Sequence, residues 1–274
     1  MPESIEEALC NPDFSGYIEG ALCQDESGQQ ELLGRAKEFA VTPISAFKVG
    51  ALAIGSSGRV YLGANMEFTG VPLHASLHAE QSAVLNAWMN GEHGIRELIV
   101  TELPCGHCRQ FLQELHDAAK LQISVNGNSA LLADLMPKPF ADNRRRGQSL
   151  LDSPKQKLVN AHSEESESSQ RAINAAGRSY TPYSKSPEGF IIETINGYHF
   201  AGRTAESIAF NPSVPAVITA LNQMNLSSHR VESINRCSHA RLATALTHSL
   251  AFSKAIMRGI SSAPIDSVLM ETDR

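Results

Sequence analysis

Four residues in two short stretches have the types and spacing to do chemistry. "HAEQSAVLNAW", His78 to Trp88, sets an imidazole and a carboxyl two residues apart at the front of a run otherwise suited to burial. "PCGHC", Pro104 to Cys108, sets two thiols three apart. Side chains at i and i+3 share a helix face, and a helix N-terminus favours thiolates. One imidazole and two thiolates form a set that zinc accepts, and three protein ligands leave one tetrahedral position open, as catalytic zinc sites do. Two thiolates neutralise the ion's formal charge, so an auxiliary proton carrier is useful, and Glu80 is placed to be one. A closed structural site would need a fourth ligand. His107 is the candidate, although it lies between the cysteines on another face of a helix. A redox dithiol is a further reading of C-x-x-C, but nothing upstream resembles the setting that such a motif occupies.

These residues need a scaffold. "GQQELLGRAKEFAV" has helical periodicity from about Glu31 to Ala40 and ends at Thr42-Pro43. "VGALAI" and "RVYLGA", joined by "GSSG", read as a β-hairpin. The helix carrying His78 and Glu80 is expected from about His74 to Met89, with Ala75, Leu77, Ala79, Ala83, Val84, Leu85 and Trp88 giving it a broad apolar surface. "ELIVTE" reads as a buried strand. "CGHCRQFLQELHD" reads as the next helix, with Phe111, Leu112 and Leu115 inward. "LQISV" and "ALLADLM" add a strand and a helix.

The second half repeats the first. Under a shift of 139, "TPIS" from Thr42 falls on "TPYS" from Thr181, Gly50 on Gly189, Gly58 on Gly197, Gly63 on Gly202 and Glu67 on Glu206. Glycines recurring in this way suggest the same backbone turns built twice. Carried on without a gap, the shift puts His78 on Val217, Glu80 on Thr219, Cys105 on Thr244 and Cys108 on Thr247. The second copy keeps the scaffold and lacks the ionisable set. The expected division is a helical preface over 1–34, a catalytic domain over 35–137, a polar linker over 138–169 and a degenerate copy over 170–274.

The chain has 274 residues, a hydrophobic content of 42% and a formal net charge of −6. The dense basic run at Arg144 to Arg146 sits in a polar stretch and reads as solvated linker, as does "SEESESS". A nucleic-acid polymer therefore fits the charge less well than a small molecule. No apolar run has the length of a membrane helix, and the acidic N-terminus lacks a signal-peptide layout. A cytoplasmic location is expected. The five cysteines are odd in number, and Cys10, Cys23 and Cys237 stand alone, so no disulfide framework is expected.

H-x-E followed by P-C-x-x-C is the zinc deaminase signature. "HAEQSA", "PCGHCRQF" and the preceding "GANMEF" closely resemble the cytidine deaminases of the long, homodimeric bacterial type. The resemblance covers most of the chain and is weakest over the first thirty residues and the linker. It implies an α/β fold: a duplicated three-layer α/β/α domain, each a mixed sheet flanked by helices, with the second copy degenerate. It implies zinc on His78, Cys105 and Cys108, Glu80 as the proton shuttle, and hydrolysis of cytidine and deoxycytidine to uridine and deoxyuridine with release of ammonia. It further implies Asn65 and Glu67 at the ribose hydroxyls, Phe47 beside the nucleoside, the Ala79 backbone N–H on the pyrimidine 2-oxo group, and Phe140 reaching the active site of the partner subunit. The sequence departs from the family at Leu103, where members carry Thr or Ser before Pro-Cys. The rival readings are a deaminase of another nucleoside or nucleotide and a zinc-stabilised binding protein without catalysis.

Overall fold

The computed structural model describes residues 2, 4–23, 25–141, 147–161 and 166–273. The Arg144–Arg146 run and the first three residues of "SEESESS" lie outside the described residues, while its last four are not linker but the N-cap and first turn of a helix that begins at Glu167. The first copy runs α1 (Ile5–Leu9), β1 (Tyr17–Glu19), α2 (Glu26–Glu38), β2 (Gly50–Gly55), β3 (Arg59–Ala64), α3 (Ala79–Met89), β4 (Ile95–Val100), α4 (Gly106–Leu112), β5 (Gln122–Val125), β6 (Asn128–Leu131) and α5 (Leu132–Leu135). Its six strands form one sheet in the order β1-β3-β2-β4-β5-β6, with β4 and β5 parallel and the other neighbours antiparallel. The second copy runs β7 (Leu158–Asn160), α6 (Glu167–Ala176), β8 (Glu188–Thr194), β9 (His199–Arg203), α7 (Ala216–Leu226), β10 (Ile234–Leu242), α8 (Leu250–Arg258) and β11 (Ile265–Thr272). Its sheet is ordered β7-β11-β10-β8-β9, again with one parallel pair, β10 with β11.

Alternation along the strands explains the layers. In β2, Leu52 and Ile54 face one way and pack with Leu32, Leu33 and Ala36 of α2. Ala51 and Ala53 face the other way and join a core built with α3. The second copy repeats this arrangement: Ile191 packs with Ala172, Ile173 and Ala176 of α6, while Phe190 and Ile192 face the shared core with α7. Each sheet is thus flanked by helices on both faces, and α3 and α7 lie together between the two sheets. That position explains why α3 is buried nearly all round. Polar staples cross the layer. Ser82 Oγ meets Asn222 Oδ1 at 2.6 Å, and Asn222 donates back to the Ser82 carbonyl at 3.1 Å. Arg203 lies over the Trp88 ring at 3.9 Å and donates to the Trp88 carbonyl at 2.7 Å.

The repeated glycines have two different causes. Gly58 and Gly197 sit at φ +91° and +81° in the matching hairpin turns, where an L side chain would be strained. Gly63 and Gly202 are not turn residues. A Cβ on Gly63 would fall 2.5 Å from the Ala79 carbonyl, and one on Gly202 would run into the matching Ala216 carbonyl. These glycines let the first turn of the central helix approach the strand.

Several expectations are corrected here. Segment 1–34 is not only helical: Tyr17–Glu19 forms an edge strand paired with β3, and α2 begins at Glu26 and runs through residue 34. β6 was not expected beside β5. The expected linker contains β7, which pairs with β11, and the buried Leu150 and Leu151. The helix expected from His74 begins at Ala79, because Leu77 exchanges backbone hydrogen bonds with Met66 and holds the chain extended. All five cysteines are free thiols, and no described helix is long and apolar enough to cross a membrane.

Candidate metal and nucleoside site

The two halves of the signature arrive at one point from two helix starts. His78 is the N-cap of α3, with extended dihedrals of −86° and 154°. Cys105 is the N-cap of α4, and Cys108 lies in its first turn. His78 Nδ1 is 3.6 Å from Cys105 Sγ, and the two sulfurs are 3.8 Å apart. All three donor atoms lie within 4.8 Å of one another. Zinc bonds of about 2.3 Å to sulfur and about 2.05 Å to nitrogen at tetrahedral angles require S···S of about 3.8 Å and S···N of about 3.6 Å. Two of the three separations therefore match a tetrahedral zinc, and the third, His78 to Cys108, lies within 4.8 Å. His107 is not part of this group: its ring stacks on that of His78, with centroids 5.3 Å apart. No fourth protein ligand closes the set among the described residues.

Electrostatics follow from the placement. A hydrogen bond with Cys108, and another with His78, push the Cys105 thiol down to about 3. The same sulfur–sulfur contact and burial push Cys108 up. Without metal the pair therefore shares one proton, which a dication displaces on binding. The hydrogen bond to Cys105 raises His78. Glu80 is 5% exposed, and burial raises its carboxyl above the ordinary range. It lies against Cys108. A buried carboxyl whose pKa is raised by desolvation is a group suited to both taking and giving a proton.

Of the remaining expected residues, Glu67 and Asn65 are held facing the same end of the sheet. Glu67 Oε2 accepts from the backbone N–H groups of Ile44 and Ser45 at 2.9 and 3.0 Å, and Oε1 accepts from the Ser45 hydroxyl. Burial acts against its charge, but these donors prevail and lower its pKa. Asn65 accepts from Val49 N–H at 2.8 Å and donates to the Phe47 carbonyl at 2.9 Å. Phe47, Leu103 and Phe140 carry exposed side chains, at 56%, 59% and 59%. Phe140 is tied to α4, exchanging two hydrogen bonds with the side chain of Gln110. Ala79 is the first residue of α3, where backbone N–H groups have no partner within the helix.

Family models for the cytidine and deoxycytidylate deaminase zinc-binding region match residues 24–124 and, again, 132–247. A cytidine deaminase of Pectobacterium carotovorum is 36% identical over 99% of this chain and 96% of its own length. The chain belongs to the cytidine deaminase family. A family member from Yersinia pestis is 44% identical over 75% of this chain and 70% of that protein. The crystal structure of the cytidine deaminase from Mycobacterium tuberculosis, 30% identical, covers 43% of this chain and 99% of itself at a TM-score of 0.39. The family is zinc-binding, which agrees with the spacing of the donor set.

The second family match falls on the copy without the ionisable set, and the structure corrects its alignment. The N-cap of α7 is Pro215, so Pro215 stands opposite His78 and Val217 opposite Glu80. The N-cap of α8 is Ser249, which places Ser249 opposite Cys105 and Phe252 opposite Cys108. Sequence reading also missed the residues that aim the ligands. Gln81 accepts from His78 N–H at 3.3 Å and donates to the Pro212 carbonyl at 2.9 Å, fastening the start of α3 to the second copy. Arg109 donates to the carbonyls of Pro104 and Leu135, each at 2.8 Å, and so fixes the approach to Cys105. An arginine in the last turn of a helix reads as a dipole partner, so its sequence position gave no signal for this role.

Proposed function

We propose that this chain hydrolyses cytidine and deoxycytidine to uridine and deoxyuridine with release of ammonia, using zinc held by His78, Cys105 and Cys108 and a proton shuttle at Glu80. The observation that carries the reading is the convergence of the three donors, with separations of 3.6 Å for His78 to Cys105 and 3.8 Å for Cys105 to Cys108, and a buried carboxyl, Glu80, against Cys108. Zinc, when bound, supplies Lewis-acid activation of water. Glu80 takes a proton from the attacking water and delivers it to ring N3, which makes C4 electrophilic. It then carries the second proton to the 4-amino nitrogen as the C4–N bond breaks. Burial suits Glu80 to this double role, because it holds the acid form closer to working pH. Glu67 and Asn65, already oriented by their backbone partners, hold the ribose hydroxyls, and Phe47 packs beside the nucleoside. The Ala79 N–H faces the 2-oxo group.

The same reading makes the copy built on β1–β6 the catalytic unit and the copy built on β7–β11 a packing partner that steadies α3 through Gln81, Ser82 and Trp88. It makes the protein a homodimer in which Phe140 reaches the active site of the partner subunit. Four exposed apolar side chains support this, Ile44 at 50%, Phe47 at 56%, and Leu103 and Phe140 each at 59%. These lie on the segments that carry the site, and large apolar side chains left exposed there suit an interaction surface. A cytoplasmic enzyme of pyrimidine salvage, acting on nucleosides and not on nucleic-acid polymers, completes the reading. The net charge of −6 agrees with a small neutral substrate. Incubation with cytidine should release uridine and ammonia in equal amounts from zinc-loaded protein. Zinc-loaded protein that leaves cytidine unchanged would refute the assignment.

A further inference from the structure

One cavity of the molecule has neither Cys105 nor Cys108 in its lining. It has a volume of about 630 Å³, within the range of small-molecule sites, and it occupies the second copy at the place that corresponds to the first copy's nucleoside site. Ser184, Thr204 and Glu206 line it at the positions matching Ser45, Asn65 and Glu67. His107 and Leu77 of the first copy close one side.

The carboxylate cradle has been built twice. Glu206 Oε2 accepts from the backbone N–H groups of Tyr183 and Ser184 at 3.0 and 3.2 Å, as Glu67 Oε2 does from Ile44 and Ser45. The difference lies in the other oxygen. In the first copy the Ser45 hydroxyl donates to Glu67 Oε1. In both copies the serine hydroxyl accepts from the N–H two residues on, Ser45 from Phe47 and Ser184 from Ser186, each at 3.0 Å, but among the described residues the Ser184 hydroxyl makes no matching bond to Glu206. Glu206 is only 8% exposed and lines the cavity, so its carboxylate is an acceptor that a ligand hydroxyl in the cavity can use. Thr204 contributes to the lining, but its Oγ1 has almost no accessible surface and no hydrogen-bond partner. A ligand hydroxyl donating to Glu206 would form a charge-assisted hydrogen bond in a largely dehydrated setting. Val214, Pro215, Ile218 and Phe252 supply apolar lining suited to a planar ring. The positions that hold the zinc donors and the proton shuttle in the first copy are Pro215, Ser249, Phe252 and Val217 here, so nothing in this cavity can turn a ligand over in the same way. Two carboxylates, Glu188 and Glu206, line the cavity, and no lysine or arginine does among the described residues. A phosphate would meet these two carboxylates, and only the imidazoles of His74, His107 and His248 could offset them.

We infer that the second copy retains a non-catalytic binding site for an unphosphorylated pyrimidine nucleoside, held through its ribose hydroxyls on Glu206. The inference rests on the reading of Glu67 as the ribose acceptor of the catalytic copy. Equilibrium dialysis of labelled uridine against the zinc-loaded enzyme in its native assembly tests it. The titration is carried to about 10 mM, so that even a site with a Kd of about 1 mM fills. The expected result is two uridines per chain. Glu206→Gln, which weakens the acceptor, and Thr247→Trp, which fills the cavity from an exposed position on its lining, should each leave one uridine per chain and unchanged kcat/KM for cytidine. Retained turnover shows that each variant is folded. Uridine 5′-monophosphate should not fill the second site. Normal cytidine turnover with one uridine per chain in the wild type overturns the inference alone. Two sites persisting in both variants overturn its location, and monophosphate filling the site as uridine does overturns the ligand class. Absent cytidine turnover is the separate failure that strikes the catalytic reading.

Discussion

Gly63→Ala and Gly202→Ala are the same substitution made at matching points of the two copies, and they should part company in activity. A Cβ on Gly63 would lie 2.5 Å from the Ala79 carbonyl oxygen and 2.6 Å from the Ala83 Cβ, where ordinary contact begins at 3.4 Å. The obstructing atoms are mostly helix backbone, so no side-chain rotation relieves the clash. The first turn of α3 must withdraw by roughly 1 Å, and overpacking of this kind costs about 1–3 kcal/mol. That turn carries His78 as its N-cap and Glu80 one residue inside. A displacement of about 1 Å in a catalytic group can cost about 10²-fold in rate. On Gly202 the Cβ meets the Ala216 carbonyl and lies 2.8 Å from the Ala220 Cβ, but that turn bears Pro215 and Val217, which perform no chemistry. Urea unfolding should therefore show a similar loss of about 1–3 kcal/mol in both variants. Steady-state cytidine deamination should fall by about 10²-fold in Gly63→Ala and by less than about tenfold in Gly202→Ala. Equal losses of kcat/KM in the two, or full activity in Gly63→Ala, would refute the claim that the glycine exists to seat the catalytic turn.

Other consequences follow from single side chains. Glu80→Gln should keep zinc by elemental analysis and lose about 10²–10⁴-fold in kcat, because only the proton carrier is removed; loss of metal along with activity would place Glu80 among the ligands instead. Cytosine should be turned over about 10⁴-fold less efficiently than cytidine, since the ribose acceptors would be left unpaired, and Glu67→Ala should shrink that ratio. Glu188 is buried, and burial opposes its charge, but His239 at 3.2 Å and Ser249 hold its pKa below the ordinary value. A depressed carboxylate gives stability that is present above its unfolded pKa of about 4.3 and is lost as pH falls through the folded value. Wild-type unfolding free energy should therefore drop more steeply on acidification below about pH 4.3 than that of Glu188→Gln; parallel pH curves would show that the carboxylate carries no such linkage.

The chemistry was more legible than the scaffold that aims it. His78, Glu80, Cys105 and Cys108 fall in two short stretches at helix starts, so local spacing was enough to bring them together. The hairpin of β2 and β3 was legible for the same reason, being closed by a tight turn at Gly58. The 139-residue repeat held through Met66 and Ala205, which make matching bridges to Leu77 and Val214. It then failed, because the segment before α7 is two residues shorter than its counterpart and the one before α8 is five longer. Loop lengths vary without disturbing the cores, and an ungapped shift has no means of sensing this. β1 is three residues long, and its pairing partner lies some forty residues away, so no local pattern reveals it. The roles of Gln81, Arg109 and Glu206 depend on contacts between distant segments, which periodicity does not encode.

The central claim is that His78, Cys105 and Cys108 hold one zinc with its fourth position open beside Glu80. X-ray absorption at the zinc edge, on the same sample that is assayed for cytidine deamination, tests it most directly. The account predicts one zinc per chain with two sulfur neighbours at about 2.3 Å and one imidazole nitrogen at about 2.0 Å, completed by a light oxygen neighbour. A shell of four protein atoms, or active protein without stoichiometric zinc, would contradict it.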